Sequence, residues 1–296
     1  MPTLDAAQLA ERARNAQERL RACDLCPRGC GVDRTKGELG FCRVGARAIV
    51  ASYGPHFGEE RPLVGRHGSG TVFFSGCNLA CEFCQNEDIS HGLAGGETTS
   101  EELAAIFLTI QRNGCHNLNL VTPTHVVPQW LDALALARAH GFDLPVVYNT
   151  GGYDRVDTLQ LLDGAVDIYL PDYKFTDEAV AARLAHAPDY PTVAQAALRE
   201  MHRQTGDLEI DATGVAQRGL LVRHLVMPND LAGSRAAMRF LAREISASTY
   251  VNIMGQYHPC HHAHRYENLR RRPTVEEMQV ADDAAREFGL TRLDRR

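Results

Sequence analysis

The sequence predicts an α/β fold, a partial (β/α)6 barrel behind a small N-terminal cysteine-rich appendage. Three features lead to that reading. Six continuous, β-branched apolar runs are each followed by a helical pattern, as parallel strands buried on both faces require. The residues that leave those runs are polar and glycine-rich. Seven of the nine cysteines fall into two groups, one ahead of the first run and one directly behind it.

Composition sets the bounds. With 296 residues, 44% hydrophobic and 23% charged, the chain has the make-up of a folded globular protein rather than a disordered one. The 31 basic residues against 37 acidic ones leave a net charge of -6, which argues against nucleic acid or an anionic membrane as the main partner. No apolar run reaches the ~20 residues of a membrane span. The opening MPTLDAAQLAERARNAQERL lacks the hydrophobic stretch of a secretory signal, so a cytoplasmic address is expected. In a reducing compartment an odd number of clustered cysteines points to metal rather than to disulfides.

Residues 3–22 read as an amphipathic helix with Thr3 as its cap. CDLCPRGCGVDRTKGELGFC is dense in turn-formers and too poor in apolar side chains to fold alone. A metal or cluster on Cys23, Cys26, Cys30 and Cys42 would supply the missing stability. A short strand pair is expected around Ala48 to Tyr53. YGPHFGEERPLVGRHGSG then reads as a connection, which divides the chain into units 1–66 and 67–296. From Thr71 onward the strands TVFFS, LNLVT, PVVYNT, DIYLPDYK, GLLVRHLVM and YVNIM alternate with helices. The first helix opens on a Thr99 and Glu102 capping box, and the others cover 127–140, 153–163, 176–205, 234–246 and 274–288. Such units build a doubly wound sheet or a barrel. Six are too few for a complete eight-stranded TIM barrel and fit a partial, TIM-like one. In either case function gathers at the C-terminal strand ends, here SGC, TPTH, NTGG, PDYK, MPND and MGQYHP.

SGCNLACEFCQN places Cys77, Cys81 and Cys84 directly after the first of these strands. Their spacing on an irregular loop lets three sulfurs face one object. Three thiolates hold three irons of a cubane and leave the fourth open, as a catalytic cluster needs. The alternative is a structural zinc with a remote fourth ligand, although the loop lacks the paired knuckles of common zinc sites. In NTGG, Asn149 can hydrogen-bond a polar ligand, and Gly151 with Gly152 permits close backbone approach. A tight strand-to-helix turn explains the same residues.

At these residues the chain resembles the radical S-adenosylmethionine (SAM) superfamily, whose signature is C-x3-C-x2-C with an aromatic, here Phe83, before the third cysteine. Within it the chain resembles pyruvate formate-lyase activating enzymes and their uncharacterised relatives with an extra N-terminal cysteine group. Gln85 and Asn86, Asp172 and Lys174 in LPDYK, Arg223 in LVRHLVMP and His258 in QYHP carry that resemblance across residues 71–260. It implies an oxidoreductase with a [4Fe-4S] cluster on Cys77, Cys81 and Cys84. SAM would be cleaved there to a 5'-deoxyadenosyl radical that abstracts hydrogen. Implied partners are a flavodoxin- or ferredoxin-like one-electron donor and, as substrate, a glycyl radical enzyme or a small molecule.

Lys174 and Arg223 offer donors to the SAM carboxylate, and Asp172 offers an acceptor to its ammonium or ribose. The activating enzymes' Gly-Gly-Glu-like segment is replaced by VTPTH, where Thr122 or Thr124 is expected to receive the SAM amine in preference to His125. The four N-terminal cysteines form a closed set that suits an auxiliary [4Fe-4S] cluster or a structural zinc. HPCHHAHRYENLRRR reads as a solvated loop, and Cys115 as a packing residue. A non-catalytic zinc-binding scaffold is the rival from a different class.

Overall fold

The computed structural model describes residues 4–294. Helix α1 (Ala6–Glu18) opens on Asp5, whose side chain accepts from the Gln8 amide while Gln8 reaches back to the Asp5 amide, a reciprocal cap. The helix thus starts later than expected, and Thr3 lies outside the described residues. Irregular chain with single helical turns at Arg19–Ala22 and Arg34–Lys36 carries the first four cysteines. Its apolar cluster amounts to Leu20, Cys23, Leu25 and Val32, small enough to leave room for the stabilisation a metal would bring.

Strand β1 (Ala48–His56) is followed by the short helix α2 (Arg61–Val64) and β2 (Ser69–Phe74). The three-cysteine loop comes next and ends in the single turn α3 (Glu87–Ser90), before β3 (Gly96–Thr98). Regular alternation begins with α4 (Ser100–Arg112), capped by Thr99 and Glu102 as the sequence predicts, and β4 (Leu118–Val121). Then follow α5 (Val127–Ala139), β5 (Val146–Thr150), α6 (Val156–Leu161) and β6 (Ile168–Pro171). The expected helical stretch 176–205 is two helices, α7 (Glu178–Ala185) and α8 (Tyr190–Thr205), broken at His186, which takes a left-handed φ of 52°. The chain closes with β7 (Glu209–Ile210), β8 (Ala216–Leu225), α9 (Ser234–Phe240), β9 (Tyr250–Met254), α10 (Val275–Glu287) and β10 (Leu293–Asp294). After α9 the helix widens into a π turn over Leu241–Ile245.

The sheet order is β10-β9-β8-β6-β5-β4-β2-β1-β3, with β7 attached to β8. From β2 to β10 every pairing along this order is parallel, and the six expected strands are β2, β4, β5, β6, β8 and β9. The sheet is not closed, so the fold is a mixed α/β partial barrel. Strands β5 and β6 are buried along their whole length, which explains why they read as unbroken apolar runs. The expected strand pair near Ala48 is instead one nine-residue strand, β1, antiparallel to both β2 and β3. The supposed connection after it holds the end of β1 and helix α2. Its proline sits at the helix start, where a missing N–H costs nothing.

Helix α2 has a packing role that composition concealed. Leu63 is fully buried in the barrel lumen against Val147, Ile168, Leu170 and Leu221. Glu60 accepts from the Asn252 amide on β9 at 2.8 Å, the Arg61 amide donates to Asp294 on β10 at 3.4 Å, and Asn117 donates to the Leu63 carbonyl at 2.9 Å. The segment therefore bridges the open edge and floors the lumen. Helix α1 packs along α5, and Arg12 donates to the carbonyls of Gln160, Leu161 and Asp163, closing the C-terminal end of α6. We expect Leu63→Ala to lower stability by about 2–5 kcal/mol, the range for a buried leucine whose space cannot collapse. Urea denaturation measures it, and a loss under about 1 kcal/mol would show that α2 does not plug the lumen.

Candidate active site

Strand periodicity builds the site. Alternate residues of a strand share a face, so above lumen-facing Val147, Leu170 and Leu221 stand Asn149, Asp172 and Arg223, each two positions further on. Arg223 donates from Nε to Asp172 at 2.7 Å and from Nη2 to the Asn149 side-chain oxygen at 2.7 Å. Lys174 Nζ donates to the other Asp172 oxygen at 2.5 Å. The Asp172, Lys174 and Arg223 side chains are 15–18% exposed. Burial pushes the Asp172 carboxyl up, but Arg223 and then Lys174 outweigh it and hold the group below the usual range. Burial likewise opposes the charge on Lys174, and Asp172 restores it, so its pKa is raised overall.

Sequence reasoning missed two supports of this ladder. Glu59, buried on the segment leading into α2, lies 3.8 Å from Arg223, and burial raises its carboxyl. Its place in a Gly/Pro-rich stretch gave no signal of a buried acid. Tyr190, fully buried at the start of α8, accepts from the Lys174 amide at 2.9 Å. Its hydroxyl also stands 3.0 and 2.9 Å from the carbonyls of Gly151 and Asp172, tying two strand exits together. Gly152 is required here. At φ +79° a Cβ would stand 2.2 Å from the Asp172 carbonyl.

The three-cysteine loop is moored on the C-terminal end of α7, where Ala80 and Glu82 amides donate to the free carbonyls of Ala185 and Leu184 at 3.3 and 2.9 Å. Phe83 is buried edge-on between Phe175 and Tyr257. All nine cysteines are free. Burial pushes the Cys77 thiol up to about 11 and Cys81 to about 12, with smaller contributions from the neighbouring thiols, and Cys77, Cys81 and Cys84 line one cavity. Such thiols become thiolates when a metal cation supplies the charge. Lys174 acts in the opposite sense on both. The appendage is similar. Burial pushes Cys26 up to about 12, and Cys42, Cys23 and Cys30 add to it. Among the described residues no group of three or more His, Cys, Asp or Glu is drawn in to the spacing of one metal ion. The donors of a cubane stand further apart, one to each iron.

Two adjoining cavities of about 160 and 220 Å³ share Cys81, Cys84, Asn86, Asp172, Lys174 and Arg223. The first also reaches Cys77, Thr122, Asn149 and Gly151, and the second Phe83. Thr122 holds a left-handed φ of 59°, rare for a β-branched residue and a mark of local strain at the end of β4. Thr124 lies elsewhere. It is buried, donating to Asp154 at 2.7 Å beside the Thr150 hydroxyl, in a network that Tyr148 also joins. His125 is buried as well, its Nε2 donating to the Ser75 carbonyl at 2.8 Å. His258 is exposed, 3.2 Å from the Gln85 amide.

The histidine-rich run after β9 is not a free solvated loop. Its histidines meet carboxylates of the cysteine loop: His262 lies 3.3 Å from Glu82, and His261 pairs with Glu87. Tyr257 is buried and donates to the Leu269 carbonyl at 2.7 Å, and with Gln256 and Met254 in the cavity wall the run roofs the site. Cys115 is buried in the main core, as a packing residue would be.

The appendage reaches the same loop. Arg28, its guanidinium over the Phe41 ring at 3.8 Å, donates to the carbonyls of Asn78 and His186 at 2.8 and 2.5 Å. Gly76 passes so close that a Cβ there would meet the Cys42 carbonyl at 2.7 Å.

Fold and site together define a partial-barrel protein with a three-cysteine loop and a charged ladder at the C-terminal ends of its strands. No protein-family profile matches the chain. It belongs to the family of the uncharacterized protein MJ0674 of Methanocaldococcus jannaschii, with 32% identity over 285 residues that cover 93% of this chain and 77% of that protein. In fold it is similar to the FeFe-hydrogenase maturase HydG of Carboxydothermus hydrogenoformans, at a TM-score of 0.51 and 11% identity over 73% of this chain. The match takes in 50% of HydG, so the chain spans about half the length of that protein. Among the described residues no helix is long and apolar enough to cross a membrane.

Burial, with Arg34 as a further cause, lowers the His125 pKa from 6.5 to about 4, although its bond to Ser75 acts the other way. The unfolded chain binds a proton at lower cost than the native state across that window, so stability falls as pH drops from about 6.5 to about 4. The loss should reach about 3 kcal/mol at roughly 1.4 kcal/mol per pH unit. Denaturation of His125→Gln over the same window should show most of that slope gone, and an unchanged slope would remove His125 as its source.

Proposed function

We propose that the chain is a radical SAM enzyme, with a [4Fe-4S] cluster on Cys77, Cys81 and Cys84 and SAM seated between it and the charged ladder. The observation that carries this reading is the convergence of three free thiols with Asn149, Asp172, Lys174 and Arg223 in one pair of cavities. When bound, a reduced cluster would supply one electron to a carbon–sulfur bond of SAM, which would part into methionine and a 5'-deoxyadenosyl radical for hydrogen abstraction.

The chain's own residues hold and shield. Lys174 and Arg223 present charge-assisted donors to a carboxylate, and Asp172 keeps both cations in place until a ligand shares them. Asn149 and the Gly151 backbone line the polar end, with the strained Thr122 beside them, its amide donating to the Asn149 carbonyl at 2.8 Å. The run after β9 roofs the loop and limits water. A low-potential flavodoxin- or ferredoxin-like protein would deliver the electron, and Cys23, Cys26, Cys30 and Cys42 would hold an auxiliary [4Fe-4S] cluster, whose donors need not close on one ion as those of a zinc must.

The substrate reading is glycyl-radical activation, hydrogen abstraction from a glycine in a partner protein. A second reading, a free amino acid or other small metabolite, is favoured by the floor that Leu63 gives the lumen and by the size of the cavities.

Oxygen-free purification should give a brown protein with about eight irons per chain if both cysteine groups hold cubanes and about four if the loop alone does. Cys81→Ala should abolish reductive SAM cleavage, read as 5'-deoxyadenosine. A colourless zinc protein, or undiminished cleavage in that variant, overturns the reading. Lys174→Ala should weaken SAM binding by about 1–3 kcal/mol, the scale of a bond to a charged group, in equilibrium titration. Deuterium carried into 5'-deoxyadenosine from labelled glycyl peptide or from labelled free amino acids decides between the two substrate classes.

A further inference from the structure

Arg34 is an unusual buried cation. It is 1% exposed, and among the described residues no carboxylate forms an ion pair with it. Its Nε and Nη2 donate to the Gly45 carbonyl at 3.0 and 2.7 Å, and Nη1 donates to the His125 carbonyl at 2.8 Å. The remaining neighbour of Nη1 is the Cys23 sulfur at 3.8 Å. Carbonyl dipoles satisfy the donors but carry no net charge. Arginine does not escape burial by losing its proton, and an isolated charge without a counter-ion is costly in the interior.

The neighbouring thiols can supply the anion, but only once a metal has displaced their protons. Four thiolates on an oxidised cubane, whose core carries two positive charges, leave roughly two net negative charges. Arg34 then completes the balance, and its N–H lies directly against one of the sulfurs.

We infer that Arg34 is the internal counter-cation and positioning residue of an anionic metal–thiolate centre on Cys23, Cys26, Cys30 and Cys42. This rests on the reading of those cysteines as a metal site and adds the residue that holds its charge. The same guanidinium fixes the His125 carbonyl, and the His125 ring holds the Ser75 carbonyl two residues ahead of Cys77. Arg34 therefore also links the appendage centre to the root of the three-cysteine loop.

The test uses the full chain with Cys77, Cys81 and Cys84 changed to serine, so that the appendage holds the one cysteine group left, Cys115 and Cys260 standing apart from it in sequence. Metal per chain is counted by elemental analysis before and during exposure to a chelator. With Arg34 present one centre should be retained. Arg34→Met, similar in length but uncharged, should lose it at least tenfold faster, while Arg34→Lys, which keeps the charge without the fork, should lie within a few-fold of the parent. Equal retention in Arg34→Met and the parent overturns the inference. Should Arg34→Met fail to fold, Arg34→Lys decides alone: retention supports the counter-charge role and rapid loss overturns it. No metal in the parent overturns the cysteine reading itself, and the inference with it.

Discussion

The carboxylate of Asp172 is the constraint on which the site turns. It stands at the level where the barrel changes from an apolar lumen to a polar mouth, and burial there works against its charge. It stays ionised because two cations from different positions meet it, Lys174 from its own strand end and Arg223 from the neighbouring strand. Those contacts in turn align Asn149, and the Tyr190 hydroxyl locks the backbone beneath. Remove the acid, and two buried cations repel across the space where a zwitterionic ligand would be received. The ladder thus sets two cations on one ionised carboxylate, and they line the same cavities as the thiols.

The main architecture could be read from the sequence because parallel strands covered on both faces must be apolar throughout. Val146, Val147 and Tyr148, or Ile168, Tyr169 and Leu170, announce themselves without alternation. The polar residues at the strand ends were equally visible, since nothing in a buried strand calls for Asn149, Asp172 or Arg223. What escaped notice depended on long-range packing. Leu63 sits in a stretch whose glycines and prolines suggest a loop, and only the assembled lumen gives it a hole to fill. Thr124 is two residues from Thr122 and chemically identical to it. A buried acid thirty residues further on, Asp154, claims one hydroxyl and leaves the other at the cavity. No local pattern separates the two.

The appendage and the histidine-rich run were each legible in composition but not in placement. Cysteine spacing identifies donors, yet it does not reveal that Arg28 and Arg34, lying among them, each reach across to barrel carbonyls, Arg34 with one nitrogen while the rest of its guanidinium holds Gly45. The histidines after β9 look like a solvated run until Glu82 and Glu87 of the cysteine loop are found beneath them. In both cases charged side chains join segments far apart in sequence, and the partner choice is fixed by topology.

The floor built by α2 makes the barrel a well rather than a tunnel. With Leu63 filling the bottom and the segment pinned to β9 and β10, traffic passes over a single rim. Whatever is seated deepest is trapped by what lies above it and departs last, so occupancy by two molecules imposes an order of arrival and its reverse on exit. A long polymer could offer only a bent tip, never thread through.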